Sequence, residues 1–259
     1  MKTKSLLLLI LSITFLGCQK EDDDTDIPLT SGYTTINGNF ITSDDAPLKG
    51  IELQLKYVET ALGYSHSWLK RETTTDANGS YSISFNIKDD EVEVFEGQSS
   101  SYFELQIDLN SLNPDNYFLP ESISETDTSY SYNPIISLKK DTTYNVTFYI
   151  PTKDYITVNL NNFKPALDGD HFEVQTFFPW GAKSENENES KLLNTKYGIS
   201  SSGYDNFVAK NENQTYSVPV ARNDTNIVRI IKIKNGIASP EDYKIFIPEN
   251  NNIELTYEY

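Results

Sequence analysis

Alternation of apolar and polar residues is the feature that most restricts how this chain can fold. Between Ile51 and Tyr57 every second residue is apolar, and the residues between them are polar. Because successive side chains of a strand point to opposite faces, this period of two is typical of a half-buried strand. The pattern recurs at residues 81–87, 103–109, 144–150, 156–160, 172–178, 216–220, 227–234, 243–247 and 253–259. The sequence therefore predicts an all-β protein.

The predicted strands fall into two blocks. About seven lie between Tyr33 and Ile150, counting one near residues 68–75 and a short one at 135–138. Pro151 ends this block and Tyr155 opens the next, in which Asn235-Gly236 is a hairpin-turn signal. Since 259 residues can supply two cores, we expect two consecutive β-sandwich domains, at residues 33–150 and 151–259.

The turn residues of the first block carry a family resemblance. The stretch "INGNFITSDDAPLKGIELQL", followed by "ETTTDANGSYSISF", resembles the carboxypeptidase regulatory-like, transthyretin-like domains of secreted and outer-membrane proteins. The matching positions are Gly38, residues 47–51 and residues 75–81. Pro47 fixes φ, Gly50 permits a left-handed turn, and the Asp-Ala-Asn-Gly run favours a tight reversal.

This resemblance covers Tyr33 to about Ile87 clearly, and the strand count extends it to Ile150. It departs at residues 44–46, which lack the glycine often found before the proline, and at residues 111–133, a longer connection than the fold requires. The resemblance implies a β-sandwich that acts as a folding partner, spacer or binding module rather than as an enzyme.

The N-terminus has the pattern of an export signal. Two lysines lie within residues 1–4, residues 6–16 are apolar or small hydroxyl residues, and Gly17-Cys18 follows. These are the charged region, apolar region and cleavage site of a secretory leader, and the apolar run is shorter than the roughly 20 residues that a membrane span needs. We expect residues 1–17 to be removed.

Leu16-Gly17-Cys18 resembles the lipobox of bacterial lipoproteins, although Phe15 stands where leucine or valine is usual. The resemblance implies that Cys18 is lipidated and becomes the new N-terminus. Two or three acyl chains, at about 0.8 kcal/mol per buried methylene, would anchor the protein to a membrane. The alternative is a free thiol in an ordinary leader.

The residues after the cysteine suggest a destination. The run Gln-Lys-Glu-Asp-Asp-Asp at residues 19–24 resembles the export signal of surface lipoproteins in the Bacteroidota, which implies an outer-membrane protein facing the cell exterior. These residues also fit a flexible acidic tether over residues 18–32, because like charges repel and extend a chain. Both interpretations can hold together. The signal residues are Gln19, Lys20, Glu21, Asp22, Asp23 and Asp24.

Charge and cysteine content exclude several classes of function. The formal net charge is −17, so nucleic acid is excluded as a partner, because phosphate binding needs clustered lysine and arginine. Cys18 is the single cysteine. If it is acylated, no thiol is left for a disulfide, a nucleophile or a zinc site.

The sequence offers little catalytic chemistry. Its two histidines, His66 and His171, fall in different predicted domains, and no zinc-protease helix, P-loop or Gly-x-Ser-x-Gly elbow occurs. Residues 168–171, Asp-Gly-Asp-His, could bind a cation but are more typical of a turn. We expect no catalytic residue, cofactor or metal. A pair of carboxylates for glycoside hydrolysis stays open, because sequence spacing does not give distance in space.

Two tryptophans are the candidate binding residues. Trp68 lies in the polar stretch "GYSHSWLKR", and Trp180 follows Phe177-Phe178-Pro179 at the end of a predicted strand. Exposed, they could stack on a sugar or anchor a protein. Alternatively, both cap the cores of their sandwiches.

Together these patterns predict a non-catalytic, lipid-anchored surface protein that binds an extracellular glycan or protein. The alternative is a structural spacer or an assembly subunit of an envelope complex. A glycan hydrolase is the third interpretation.

Overall fold

The computed structural model describes residues 33–61, 63–89, 91, 94–96, 99–119, 130–135, 138–183, 193–203, 206–210 and 212–259. Within these residues the chain forms sixteen strands: β1 (Tyr33–Ile41), β2 (Glu52–Ala61), β3 (Tyr64–Thr74), β4 (Ser80–Asn86), β5 (Val94–Glu96), β6 (Ser99–Asp108), β7 (Tyr130–Ile135), β8 (Thr143–Asn145), β9 (Phe148–Tyr149), β10 (Lys153–Asn161), β11 (His171–Lys183), β12 (Tyr197–Ser202), β13 (Gln214–Ala221), β14 (Asp224–Lys234), β15 (Ile237–Ile247) and β16 (Glu254–Glu258). The predicted all-β class is confirmed. In the described part of the chain, no helix is long and apolar enough to cross a membrane.

The first sandwich packs two sheets around one core. One sheet contains β4 and β1, with β8 and β9 beside β1, and the other has the order β3-β2-β6, with β5 and β7 beside β6. The alternation on β2 directs Leu53 and Leu55 into the core between the sheets, while Glu52 is exposed. Burial of these apolar side chains supplies the main driving force for this packing.

The last predicted strand of the first block is interrupted. In place of one strand at 144–150, the chain forms β8 (Thr143–Asn145) and β9 (Phe148–Tyr149). Both pair parallel with β1 in one register, and the gap between them lies opposite Gly38 and Asn39. A Cβ atom at Gly38 would lie 1.8 Å from the carbonyl oxygen of Val146. Glycine is therefore required where the two backbones approach, a role that the sequence resemblance did not reveal.

The second sandwich packs β15-β14-β11-β12 against the three-stranded sheet β13-β10-β16. Its core contains Val158, Phe172, Val218 and Ile230, each completely buried. The prediction of two consecutive sandwiches is thus confirmed. In each sandwich the first and last strands lie side by side and run parallel: β1 with β8 and β9, and β10 with β16.

β11 belongs to both sandwiches. Residues 171–177 pair with β14 of the second sandwich, and Gly181 and Ala182 pair with β9 of the first. The expected end of this strand near Trp180 was wrong, since β11 continues past Pro179 to Lys183. As a result, one sheet of eight strands runs through both sandwiches.

Other differences from the expected strands are local. The short strand expected at 135–138 is instead β7, residues 130–135, and the strand expected near 68–75 begins at Tyr64. β5 and β12 have no apolar alternation long enough to predict them. The predicted leader and tether lie outside the described residues.

Candidate functional site at the junction of the sandwiches

The residues of the predicted lipid anchor and export signal, Cys18 and residues 19–24, lie outside the described residues. Their roles stay predictions.

Trp68 lies on β3, in the edge strand of the first sandwich, and is half-buried. Its ring stacks on Tyr57, with centroids 5.8 Å apart, and the exposed His66 ring lies at a steep angle to it, with centroids 4.3 Å apart. Tyr64, two residues before His66, is 62% exposed. Trp68 therefore packs against the first core while a histidine and a tyrosine beside it reach solvent.

Trp180 lies on β11 between the two sandwiches. Its indole Nε1 donates a hydrogen bond of 3.4 Å to the carbonyl oxygen of Phe118. It packs on a small buried cluster of Phe118, Phe178 and Ala221, in which the rings of Phe118 and Phe178 stack at 3.8 Å. Trp180 thus belongs to the junction rather than to the core of the second sandwich.

The Asp168–His171 stretch forms a turn into β11. The Asp170 carboxylate accepts hydrogen bonds from the backbone N–H groups of Ala166, Leu167 and Asn235. These bonds, that from Ala166 foremost, lower the pKa of Asp170, because they favour the ionised form. His171 contacts Glu173 through its Nε2 atom at 2.6 Å. Among the described residues, no three metal-ligating side chains cluster in a way that could hold an ion.

A shallow cavity of about 240 Å³ lies over β2 and β3 of the first sandwich. Its acidic lining residues are Glu52, Glu72 and Asp108. The Glu72 carboxylate accepts a hydrogen bond of 2.6 Å from the Gln54 side chain. The cavity combines a few polar groups with little enclosed apolar surface, which differs from the usual small-molecule site.

The junction also contains polar contacts from both sandwiches. The Tyr149 hydroxyl donates to the Asp224 carboxylate, and the Ser43 hydroxyl donates to the carbonyl oxygen of Arg222 at 2.6 Å. The Tyr149 ring stacks on Tyr197, with centroids 4.6 Å apart and an interplanar angle of 10°. These contacts, together with the β9–β11 pairing, fix one sandwich against the other.

Burial changes the pKa values of both partners in the Tyr149–Asp224 hydrogen bond. Removal from water raises the pKa of Asp224, and the nearby charge of Asp44 acts in the same direction. The hydrogen bond from Tyr149 opposes this rise, because it favours the carboxylate. Burial also raises the pKa of Tyr149, so its hydroxyl stays a donor.

No family model matches this chain, and no curated protein matches it. Among solved structures, the shaft pilin SpaA from Lactobacillus rhamnosus GG is 12% identical, covers 88% of this chain and 96% of its own, and has a TM-score of 0.29. The streptococcal ancillary pilin is 14% identical, with coverage of 87% and 62% and a TM-score of 0.26. BcpA, the major pilin subunit of Bacillus cereus, is 8% identical, with coverage of 83% and 69% and a TM-score of 0.27.

Proposed function

We propose that this protein is a structural spacer or assembly subunit of the bacterial cell surface, in which two β-sandwiches form one stiff unit. The single observation that carries the proposal is β11, which pairs with strands of both sandwiches. Neighbouring domains usually move relative to each other unless their interface is large and apolar. A shared sheet replaces that freedom with backbone hydrogen bonds.

The junction adds side-chain contacts to the shared strand. The Phe118–Phe178 stack and the buried Ala221 join residues that are far apart in the chain, and aromatic pairs contribute about 0.5–1.5 kcal/mol beyond their buried area. The polar contacts of Ser43 and Tyr149 restrict rotation about the same region. A unit with these restraints holds its two ends at a set separation.

The site of action follows from the N-terminal pattern and is part of the proposal. Lipidation at Cys18 would anchor the unit to the outer membrane, and residues 18–32 would hold it clear of the bilayer. Protease treatment of intact cells tests whether the protein is exposed at the cell surface. We expect the wild-type protein to be digested and a variant with Lys20 to Asp24 replaced by alanine to be protected.

The stiffness is tested by spin-label distance measurements in the full chain with Cys18→Ser. Labels at Ser82→Cys and Thr256→Cys, both exposed and in different sandwiches, should give one narrow distance distribution. Phe178→Ala removes the ring stack of the junction and should broaden it. Phe85→Ala deletes a fully buried ring of the first core and should leave the distribution narrow. A broad distribution in the unaltered chain would exclude a rigid spacer.

Extracellular binding is a second candidate function, favoured by the edge of the first sandwich. Tyr64 is 62% exposed, and the exposed His66 ring lies on the half-buried Trp68. Such a surface could stack on a sugar ring or anchor a protein. Glycan arrays with the wild type and Tyr64→Ala test this function, and Tyr155→Ala, at a tyrosine 49% exposed on the second sandwich, is the matched control.

A further inference from the structure

β15 is a long strand with one unpaired edge. It has eleven residues, and in the described part of the chain it pairs with β14 alone. Three large apolar side chains on it are exposed: Ile237 at 72%, Tyr243 at 39% and Phe246 at 58%. Long edges with exposed apolar side chains pair readily with further strands.

The position of Pro240 shows which backbone groups face outward. Proline has no N–H, so we place its pair with Ile231 among the non-hydrogen-bonded pairs of the β14–β15 ladder. The register of this ladder is unbroken from Asp224 to Lys234. The even-numbered residues of β15 therefore direct their backbone groups to the open edge, and Asp242, Lys244 and Phe246 each offer a donor there.

Charge favours one register for antiparallel pairing of this edge with a second copy, although the Asp242 carboxylate also accepts two hydrogen bonds from Arg229 of its own hairpin. In an antiparallel pairing with a second copy about Tyr243, Asp242 of each copy lies opposite Lys244 of the other. Shifts that centre the pairing on Asp242 or on Lys244 would place like charges opposite each other, which is destabilising. The chain has a net charge of −17, but the β14–β15 hairpin, residues 224–247, has four basic and three acidic residues. Its local charge thus opposes self-association far less than the rest of the surface does.

We propose that β15 pairs antiparallel with β15 of a second copy of this chain, about a twofold axis through Tyr243. Backbone N–H groups of Asp242, Lys244 and Phe246 donate across the axis, and Phe246 lies opposite Pro240 of the other copy. The pairing extends the eight-stranded sheet into the second copy. It deepens the assembly role proposed above by naming the partner, and it rests on that role.

The proposed pairing is weak because the edge offers little surface and few donors. One strand buries much less than the roughly 800 Å² per partner of a stable interface, and Pro240 removes one donor at each end. Anchoring in a membrane would raise the effective concentration of the copies. Because the pairing is weak, a covalent cross-link that traps it is a better readout than the size of the free protein in solution.

The test uses a single cysteine placed on the proposed axis, in the full chain with Cys18→Ser. Tyr243→Cys faces itself across a non-hydrogen-bonded pair, where Cα atoms lie about 4.5 Å apart and a disulfide can form. Ser239→Cys lies on the same face of the same strand and is also exposed, but its two copies would be roughly 26 Å apart. On mild oxidation, we expect Tyr243→Cys to form disulfide dimers at least about tenfold faster than Ser239→Cys.

Charge variants in the Tyr243→Cys background test the register. Lys244→Glu alone and Asp242→Lys alone place like charges opposite each other, and each should slow dimer formation. Mixing the two variants restores both opposite-charge pairs and should restore the rate, with mixed dimers in excess. Circular dichroism of each variant shows whether it is folded.

Several outcomes would overturn the pairing. Equal cross-linking at 243 and 239, or no rescue on mixing, excludes the proposed edge or register. Cross-linking that appears only when residues 19–32 are deleted would instead show that the tether occupies this edge in the full chain. If the spin-label distances are narrow but no cross-link forms, the rigid spacer stands and a second copy is rejected as its partner. If the distances are broad, the spacer itself is rejected.

Discussion

Gly38 illustrates how a single missing side chain permits the first sandwich to form. A Cβ atom there would lie 1.8 Å from the Val146 carbonyl oxygen and 2.7 Å from the Tyr81 ring. We predict that Gly38→Ala lowers the free energy of unfolding by about 2–3 kcal/mol, because backbone must move to relieve the overlap. Urea unfolding measures this change.

Gly63→Ala is the matched control for that substitution. Gly63 has a φ of +89° but no neighbouring atom within 4 Å of the added Cβ. Its cost should be only the left-handed backbone penalty of about 1–2 kcal/mol. A Gly38→Ala protein that is no less stable than the Gly63→Ala protein would contradict the close approach of β1 to Val146.

Asp224 makes stability depend on pH in an uncommon direction for an acid. Since burial raises its pKa in the folded state, the folded protein holds the proton more tightly than the unfolded chain. Its stabilising contribution is present below the unfolded pKa of about 3.9 and is lost as pH rises through the folded value. We predict that Asp224→Asn removes this pH-dependent contribution to stability.

The measurement is the difference in melting temperature between Asp224→Asn and wild type from pH 3.5 to 8. The difference should shift in favour of the variant as pH rises. Acids whose pKa is lowered, such as Asp170 and Asp242, act oppositely but cancel in the difference. Tyr149→Phe removes the hydrogen bond that stabilises the carboxylate, so it should enlarge the loss at high pH. A flat difference would indicate that Asp224 is well solvated.

At the scale of elements, the β14–β15 hairpin depends on its two-residue turn. Asn235 and Gly236 have φ values of +53° and +76°, as a type I′ turn requires. We predict that Gly236→Ala lowers the free energy of unfolding by about 1 kcal/mol, because its backbone stays left-handed. Asn235→Gly, the control, should change stability by a few tenths of a kcal/mol. Chemical denaturation measures both free energies of unfolding. Equal values for the two variants would contradict the type I′ turn.

The sequence was informative about elements whose two faces differ. Alternation identified the buried side of β2 and β4, and the Asn-Gly pair identified the β14–β15 turn, because local chemistry decides both. It misplaced the end of β11, since Pro179 and Gly181 are typical of a strand end. The contiguous apolar run Phe177 to Trp180 was the available signal that this strand is covered on both faces.

The junction itself could not be predicted from local sequence. Phe118 and Phe178 stack although 60 residues separate them, and no period or motif connects such positions. Trp180 had the features of a ligand-binding aromatic and of a core residue alike, because both uses place an apolar ring beside a polar stretch. Only the path of the chain distinguishes them.

For the whole molecule, the shared sheet predicts a single unfolding event. Because β11 contributes to both sandwiches, neither can lose it without the other, and calorimetry should give one transition with equal calorimetric and van't Hoff enthalpies. Phe178→Ala, which costs about 3–5 kcal/mol, should separate the transition into two. Phe85→Ala should lower the melting temperature of the single transition without dividing it. Two transitions in the unaltered protein would show that the sandwiches unfold independently.

The parallel pairing of the first and last strands in each sandwich has a mechanical consequence. A force applied between Tyr33, at the start of β1, and Tyr259 would pull β1 against β8 and β9, and β10 against β16, along the direction of the strands. Hydrogen bonds loaded along the strands bear the tension together. In a hairpin pulled open from one end, they would break one after another. The same arrangement that closes each core would therefore resist extension of the folded protein under tension.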